Sequence, residues 1–373
     1  MTHIVVLGPG RVGGAMARDL APDFKVTVAD RSEHALARMH GAGLGTRTAD
    51  LASPEAVKTA VADADLVVGA VPGFMGFATA RAVLEAGKPL VDISFFDEDC
   101  FELDELAKRQ GLTAIVDCGV APGCGNIILG DTARQWDHVG TFECLVGGLP
   151  VVRTWPYEYK AGFSPIDVIE EYTRPARYVK DGHTVTLPAL SEPELLDFQG
   201  LGTLESFNTD GLRSLIHTFP QVPDMKEKTL RYPGHIEKMR MLRESGFFNK
   251  EKLQVAGVEI SPLDLTTALL FPMWFMQEGD EDFTVMRVTV TGRKEGRPVR
   301  RELNLLDRYD PATKTTSMAR TTGYTCTAAV RLLLRGGYAK KGINPPEFLG
   351  REPGAWDFIR GELAKRGVLF TES

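Results

Sequence analysis

The sequence predicts an α/β fold, a Rossmann-type doubly wound parallel sheet, together with a second α+β domain whose sheet is largely antiparallel. Three observations carry this. Over the first third of the chain, short unbroken apolar runs such as Leu66-Val67-Val68-Gly69-Ala70 alternate with helical segments, as strands covered on both faces do. A glycine-rich turn, Gly8-Pro9-Gly10-Arg11-Val12-Gly13, joins the first such run to the first helix. Beyond Asp117 the rhythm changes to longer, alternating runs, Phe283 to Thr291 and Val299 to Leu306, the mark of a sheet with one solvated face.

In order, His3 to Leu7 reads as an apolar strand, Gly13 to Leu20 as a helix, and Lys25 to Ala29 and Thr46 to Thr48 as strands. A helix is expected from Pro54 to Ala62, with Ser53 as N-cap and Pro54 at the first helical position, where its missing N–H costs nothing. Leu66 to Ala70 is a buried strand, Phe77 to Glu85 a helix, Pro89 to Ile93 a strand, Leu103 to Gln110 a helix and Leu112 to Val116 a strand. Phe142 to Val146 is a strand, and Pro150 to Pro223, polar and proline-rich, reads as loops or short helices. Gly292 to Gly296 links the two late strands as a hairpin. A helix from Met318 to Arg335 stops at Gly336-Gly337, and another follows near Ala355 to Arg366. The expected domains are a dinucleotide-binding domain over 1–118, completed by 318–373, and a substrate-binding and dimerisation domain over 119–317.

At 373 residues, with 43% hydrophobic and 25% charged residues, the chain has a globular composition and length for two domains. A net charge of −7 argues against nucleic acid or an anionic membrane as partner. The five cysteines, an odd number without a C-x-x-C pair, argue against a disulfide framework or a zinc site. No metal is expected. No secretory signal precedes the first strand, and runs such as Ala268 to Met276 fall well short of a span, so the expected compartment is the cytoplasm.

A G-x-G-x-x-G alone is a weak signal, but here it follows a strand, opens a helix and is answered by an acid at the end of the next strand. Gly8 permits the tight turn, Gly10 lets the backbone approach a pyrophosphate, and Gly13 allows close helix–strand packing, with Pro9, Arg11 and Val12 completing the loop. The diphosphate would rest on amides at a helix N-terminus. Asp30 lies where a carboxylate bonds the adenosine ribose hydroxyls and repels a 2′-phosphate, which favours NAD. Arg31 beside it weakens that preference, since a guanidinium accepts the phosphate of NADP. Asp50 is expected to close the third strand, where a carboxylate can accept the adenine amino group, or else to be a solvated loop acid. Ala70, Val71 and Pro72 leave the fourth strand at the edge that borders a ligand crevice.

Asp117-Cys118-Gly119-Val120-Ala121-Pro122-Gly123 resembles the G-x-A-P-G loop of the saccharopine dehydrogenase family, most of all its lysine 6-dehydrogenase-like branch with archaeal L-lysine dehydrogenase relatives. Val71 to Phe77, Val91 to Phe95, Ile169 to Ala176, Asp210 to Ser214, Thr229 to His235 and Gly342 to Glu347 extend the similarity nearly end to end. The resemblance implies a Rossmann domain built from both chain ends, a central domain with substrate residues and a dimer interface, and oxidation or reduction of a C–N bond in an amino-acid substrate. It also implies a homodimer or larger homo-oligomer, for which the long β-region after Phe283 is a candidate interface.

Such a reaction needs the carbon bearing nitrogen held against the nicotinamide, and a group that takes the proton from an amine whose free pKa is about 10.4. Asp92 and Asp117 end consecutive strands and are candidate bases or ammonium ligands; N-capping or loop hydrogen bonding accounts for them equally well. Ser94 and Gly119 are expected at the nicotinamide or its ribose. Arg213 and Arg231 are candidate carboxylate ligands, guanidinium being suited to bidentate pairing, unless they form structural ion pairs. Lys160 and His235 are weaker candidates for polarising or shuttling, and His235 can equally satisfy a backbone carbonyl. Cys118 and Cys124 read as packing thiols. Where saccharopine reductases carry Ser-Pro-Arg, this chain has Ser164-Pro165-Ile166, one cation fewer for a tricarboxylic substrate. The leading expectation is therefore NAD-dependent oxidation of the ε-amine of L-lysine. A secondary amine such as saccharopine or a carboxylated polyamine comes second, and a non-catalytic dinucleotide sensor third.

Overall fold

The computed structural model describes residues 1–41 and 43–373. Its first segment alternates as its apolar runs require: β1 (His3–Leu7), α1 (Arg11–Leu20), β2 (Lys25–Asp30), α2 (Glu33–Ala37), β3 (Gly45–Thr48), α3 (Pro54–Val61), β4 (Leu66–Gly69), α4 (Gly73–Glu85), β5 (Leu90–Asp92), α5 (Asp104–Arg109), β6 (Thr113–Ile115) and α6 (Cys124–Gln135). Ser53 and Pro54 start α3 as expected, the Ser53 hydroxyl accepting from the Ala56 amide. The short α2, invisible as a pattern because only Leu36 is buried, is capped by Ser32. Helices α1 and α4 begin earlier than the apolar periodicity shows, at Arg11 and Gly73, because their first turns carry two glycines each, which are buried without contributing to an apolar pattern.

The next segment comprises β7 (His138–Pro150), α7 (Pro165–Thr173), β8 (Ala176–Lys180), β9 (His183–Leu187), β10 (Glu194–Phe198), β11 (Gly202–Asn208), α8 (Leu215–Thr218), β12 (Asp224–Arg231), α9 (His235–Glu244), β13 (Leu253–Val255), β14 (Val258–Ile260), α10 (Pro262–Trp274), β15 (Asp282–Lys294) and β16 (Arg297–Arg308). The tail adds α11 (Ser317–Leu334), β17 (Gly342–Asn344), α12 (Pro346–Gly350), α13 (Ala355–Ala364) and β18 (Phe370–Glu372).

The expectation of loops or short helices over Pro150 to Pro223 is wrong: that stretch holds four strands besides two helices. Asp181 and Gly182, both with positive φ, turn β8 into β9 with Lys180 opposite His183, a two-residue turn that Asp-Gly favours. The late hairpin is also tighter than expected. Its turn is Glu295-Gly296 alone, and pairing runs through Lys294 and Arg297.

Two compact units result. The first, Met1–Asp137 with Met318–Phe370, contains among the described residues a seven-stranded sheet ordered β17-β6-β5-β4-β1-β2-β3, with every pairing parallel. The strand order reverses between β1 and β4, and ligands bind such sheets at that point. Its core is aliphatic, from Val5 and Leu7 through Val67 and Leu90 to Ile343. The tail is fastened to α1: Arg331, buried in α11, pairs with Asp19 at 2.7 Å and Asp23 at 2.8 Å, and Arg366 also reaches Asp19. The second unit, His138–Ser317 with Thr371–Ser373, has a nine-stranded sheet whose main path is β10-β11-β12-β7-β15-β16-β18. Its pairings are antiparallel except β12 with β7. An aromatic cluster around Tyr159, Tyr172, Phe207 and Trp274 forms part of its core. No helix among the described residues is long and apolar enough to cross a membrane.

Candidate active site

The turn after β1 is shaped by what its glycines exclude. Gly8 has φ +88°, and a Cβ there would stand 2.7 Å from the carbonyl oxygen of Ala70. A Cβ on Gly13 would overlap the carbonyl oxygen of Gly8, so α1 can lie against the turn only without one. Gly10 differs: a Cβ there meets nothing within 4 Å. It also opens α1 without a side-chain cap, so the first-turn amides face the space that Gly10 leaves. This is the geometry an anion needs at a helix N-terminus, and Pro9, Arg11, Val12 and Gly13 border it.

Asp30 is the last residue of β2, and one of its carboxylate oxygens accepts from the Ser32 amide at 2.7 Å. Arg31 is exposed beside it. Asp50 does not close β3, which ends at Thr48; it is exposed, and its side chain accepts from the Ala52 amide at 3.1 Å. Ala70, Val71 and Pro72 follow β4, and Ala70 is the residue that approaches Gly8.

Asp92 ends β5 fully buried. Its carboxyl accepts from the Ser94 amide at 2.8 Å and from the Ser94 hydroxyl at 3.1 Å, and it lies so close over Gly69 that any side chain there would overlap it. Burial pushes its pKa up to about 8, with a smaller push from the charge of Asp117. At neutral pH this acid therefore holds its proton, and one of its oxygens can donate. Asp117 lies two residues beyond β6, in the left-handed region with φ 53° and almost wholly buried. It leads into a knot in which the Gly119 amide donates to the Pro122 carbonyl and Cys124 donates back to Gly119 and Val120. Cys118 and Cys124 are packing thiols: burial raises both, Cys124 to about 12, and its sulfur lies 3.2 Å from the Thr325 hydroxyl.

In the second unit the structure brings Arg231 and His235 together through Tyr172. Arg231 is buried, its Nε donating to the Tyr172 hydroxyl at 3.1 Å, its Nη1 to the Leu230 carbonyl at 3.0 Å and its Nη2 to Glu171. The guanidinium stacks 4.6 Å from the Tyr159 ring centroid. The Tyr172 hydroxyl also meets His235 Nε2 at 2.9 Å, while Nδ1 faces the Tyr157 carbonyl at 2.8 Å. Arg231 thus forms an ion pair inside the fold, one of the two readings its sequence context allowed, and His235 does bond a backbone carbonyl. Lys160, next to Tyr159, pairs with Asp280 at 3.3 Å. Arg213 sits in the loop after β11 with φ 52°, buried. Glu171, Tyr172 and Tyr159 were not singled out from the sequence. Glu171 and Tyr172 lie within a stretch that resembles the family, but nothing in their spacing discloses a partner sixty residues on.

Burial and the charge of Arg231 lower the pKa of His235 to about 3. The unfolded chain takes up a proton near pH 6.5 and the folded chain does not, so this group costs stability as pH falls from about 6.5 toward 3. The expected result for His235→Gln is a shallower loss of stability across that window, read from urea midpoints at pH 7, 5 and 4. An unchanged slope would show that the imidazole titrates freely.

Two family models match: "Saccharopine dehydrogenase NADP binding domain" over residues 4–115 and "Saccharopine dehydrogenase C-terminal domain" over 119–368. Mitochondrial alpha-aminoadipic semialdehyde synthase of Bos taurus is 27% identical over 224 residues, which is 56% of this chain and 24% of that protein. Saccharopine dehydrogenase [NADP(+), L-glutamate-forming] of Saccharomyces cerevisiae is 24% identical over 275 residues, 69% of this chain and 61% of that one. The chain thus spans about a quarter of the synthase's length and less than two thirds of the dehydrogenase's. A solved structure, apo histidine-tagged saccharopine dehydrogenase (L-Glu forming) from Saccharomyces cerevisiae, has a TM-score of 0.81 at 20% identity, covering 100% of this chain and 99% of that one, a likeness of fold.

Proposed function

The chain belongs to the saccharopine dehydrogenase family, and from that premise we propose that it is a nicotinamide-dinucleotide-dependent oxidoreductase acting on a C–N bond, oxidising the ε-amine of L-lysine with NAD. The observation that carries the redox part is the open, uncapped turn at Gly10 followed by a carboxylate at the end of β2. A bound dinucleotide would supply the hydride acceptor for oxidation of the carbon bearing nitrogen. The first-turn amides of α1 would hold its diphosphate, Asp30 the adenosine ribose hydroxyls, and Ala70, Val71, Pro72, Ser94 and Gly119 its nicotinamide half. Asp30 favours NAD, and Arg31 is the residue through which NADP is tolerated.

Asp92 is the proton-handling group of this proposal. With a pKa of about 8 it can release its proton at mildly alkaline pH and then take one from the substrate ammonium, freeing the nitrogen lone pair that expels hydride from carbon. Asp117, the neighbouring carboxylate, holds the ammonium group. Within the second unit Arg231 is a positioning residue, held by Glu171 and Tyr172 and acting through Tyr172 and His235 rather than directly. Amine oxidation is then expected to rise as pH passes about 8. Asp92→Asn should remove that limb of the kcat/KM profile and lower the rate by about a hundredfold or more. It should also relieve the cost of ionising a buried acid: stability that the wild type loses between pH 4 and 8, as the unfolded carboxyl ionises first, is retained in the variant. A wild-type pH profile in the variant would remove Asp92 from the mechanism.

The relatives' names favour a second reading, oxidation of the secondary amine of saccharopine. Ile166, at the second position of α7, argues the other way by removing a cation. The separating experiment follows reduced-nicotinamide absorbance with NAD or NADP and either L-lysine or saccharopine at alkaline pH. Lysine-dependent reduction supports the first reading and saccharopine alone the second. Cofactor binding without turnover of either amine defeats both and leaves the dinucleotide sensor.

A further inference from the structure

Glu347 closes the family-like stretch Gly342 to Glu347 and carries a carboxyl that the first unit buries completely, on the five-residue helix α12. A buried carboxylate is costly unless it is paired and hydrogen-bonded. Helix α12 lies against α6 with backbone touching backbone: a Cβ on Gly130 would overlap the Glu347 carbonyl oxygen, and one on Gly350 the Ile127 carbonyl oxygen. Glu347 is thereby fixed relative to α6. Its Oε2 accepts from Nδ2 of Asn126 at 3.1 Å, across 221 positions of sequence, and both residues are buried. Facing a carboxylate, the Asn126 amide presents its NH2 group, which turns its carbonyl oxygen the other way. That oxygen accepts from the Gly123 amide at 3.1 Å.

Gly123 is the clasp of the loop that leaves β6. It has φ 140°, and a Cβ there would overlap the Gly119 carbonyl oxygen. Two amides draw the loop shut beside it, Gly119 donating to the Pro122 carbonyl at 3.0 Å and Cys124 to the Gly119 carbonyl at 3.1 Å. At its start the loop hangs from β5, the Cys118 amide donating to the Asp92 carbonyl at 2.9 Å. At its far end stands the Asn126 carbonyl and, behind it, Glu347. We propose that Glu347 is a positioning residue. Acting through Asn126 and Gly123, it sets where Gly119 stands and so how tightly the nicotinamide half of the cofactor is gripped, an inference that rests on the reading of Gly119 given above. A brace for the sheet alone would not need it. Strand β17 is anchored by other groups, the Ile343 amide donating to Asp104 at 2.9 Å and the Asn344 side chain to the Gly342 carbonyl at 2.8 Å.

The test is calorimetric titration with NAD and with ADP, which keeps the adenosine and diphosphate but lacks the nicotinamide riboside. Glu347→Leu should weaken NAD about tenfold and leave ADP within about twofold of wild type. Glu347→Gln, which still offers Asn126 a carbonyl oxygen, should recover the NAD affinity. The paired variant Asn126→Leu with Glu347→Leu exchanges both partners for apolar groups of similar size and strands neither. It should fold and show the same loss of NAD alone. Hydrogen exchange should quicken at amides 119–124 in both leucine variants and stay unchanged at 8–14. NAD binding undisturbed in both leucine variants, an equal loss of ADP, or no recovery in E347Q overturns the proposal. Wild type that binds neither nucleotide overturns the cofactor reading and this proposal with it, a result distinct from the others.

Discussion

Gly10→Ala should leave the protein folded and deprive it of its dinucleotide. The added methyl enters open space, and at a helix N-cap alanine is less favourable than glycine by only about 0.5–1 kcal/mol. The melting temperature should therefore stay within about 1–2 °C of wild type. The space it fills is where a diphosphate must approach the backbone, and the affinity for NAD should fall by about a hundredfold, about 3 kcal/mol. Gly13→Ala is the contrasting variant. Its methyl overlaps the Gly8 carbonyl, so the backbone must move, at about 1–3 kcal/mol, and both melting temperature and affinity should drop. Calorimetric titration with NAD, paired with thermal melts, reads the two quantities separately. Normal NAD binding by Gly10→Ala would place the diphosphate elsewhere.

Arg231→Met should be among the most damaging substitutions in the second unit. The guanidinium joins Glu171, Tyr172 and the Leu230 carbonyl, and its loss strands a buried acid and a phenol. Breaking a buried pair from one side costs about 3–5 kcal/mol. Burial already pushes the Glu171 carboxyl up against the pull of Arg231, so Glu171→Gln should cost less, and the double variant should recover part of the loss. Urea denaturation of the four proteins closes the cycle. If Arg231 instead met the substrate carboxylate directly, the single variant would keep its urea midpoint and raise KM alone.

The parallel sheet was legible because burial on both faces writes itself into a strand as an unbroken apolar run, and β1, β4 and β5 are fully buried. The cradle was legible because the glycines report steric exclusions made locally, within the turn and one strand away. β8 and β9 escaped because their exposed, polar faces diluted the alternation, although Asp181-Gly182 marked the turn. The left-handed Asp117 and the company of Arg231 lay outside the reach of pattern. One depends on a backbone knot closed by residues 119–124, the other on a glutamate sixty positions earlier that only the tertiary fold brings near.

The fastening of α11 and α13 to α1 bears on the order in which a ribosome can deliver this fold. Asp19 and Asp23 emerge early, but Arg331 and Arg366, the cations that neutralise them, emerge about three hundred residues later. β17, which extends the parallel sheet beyond β6, is as late. At translation speeds of about 5–20 residues per second, the first unit waits some tens of seconds for its last strand. Meanwhile the whole second unit save its last three residues is made. During that interval the β6 edge is an open template. Nascent chains halted before residue 317 should accordingly be the form most in need of chaperones.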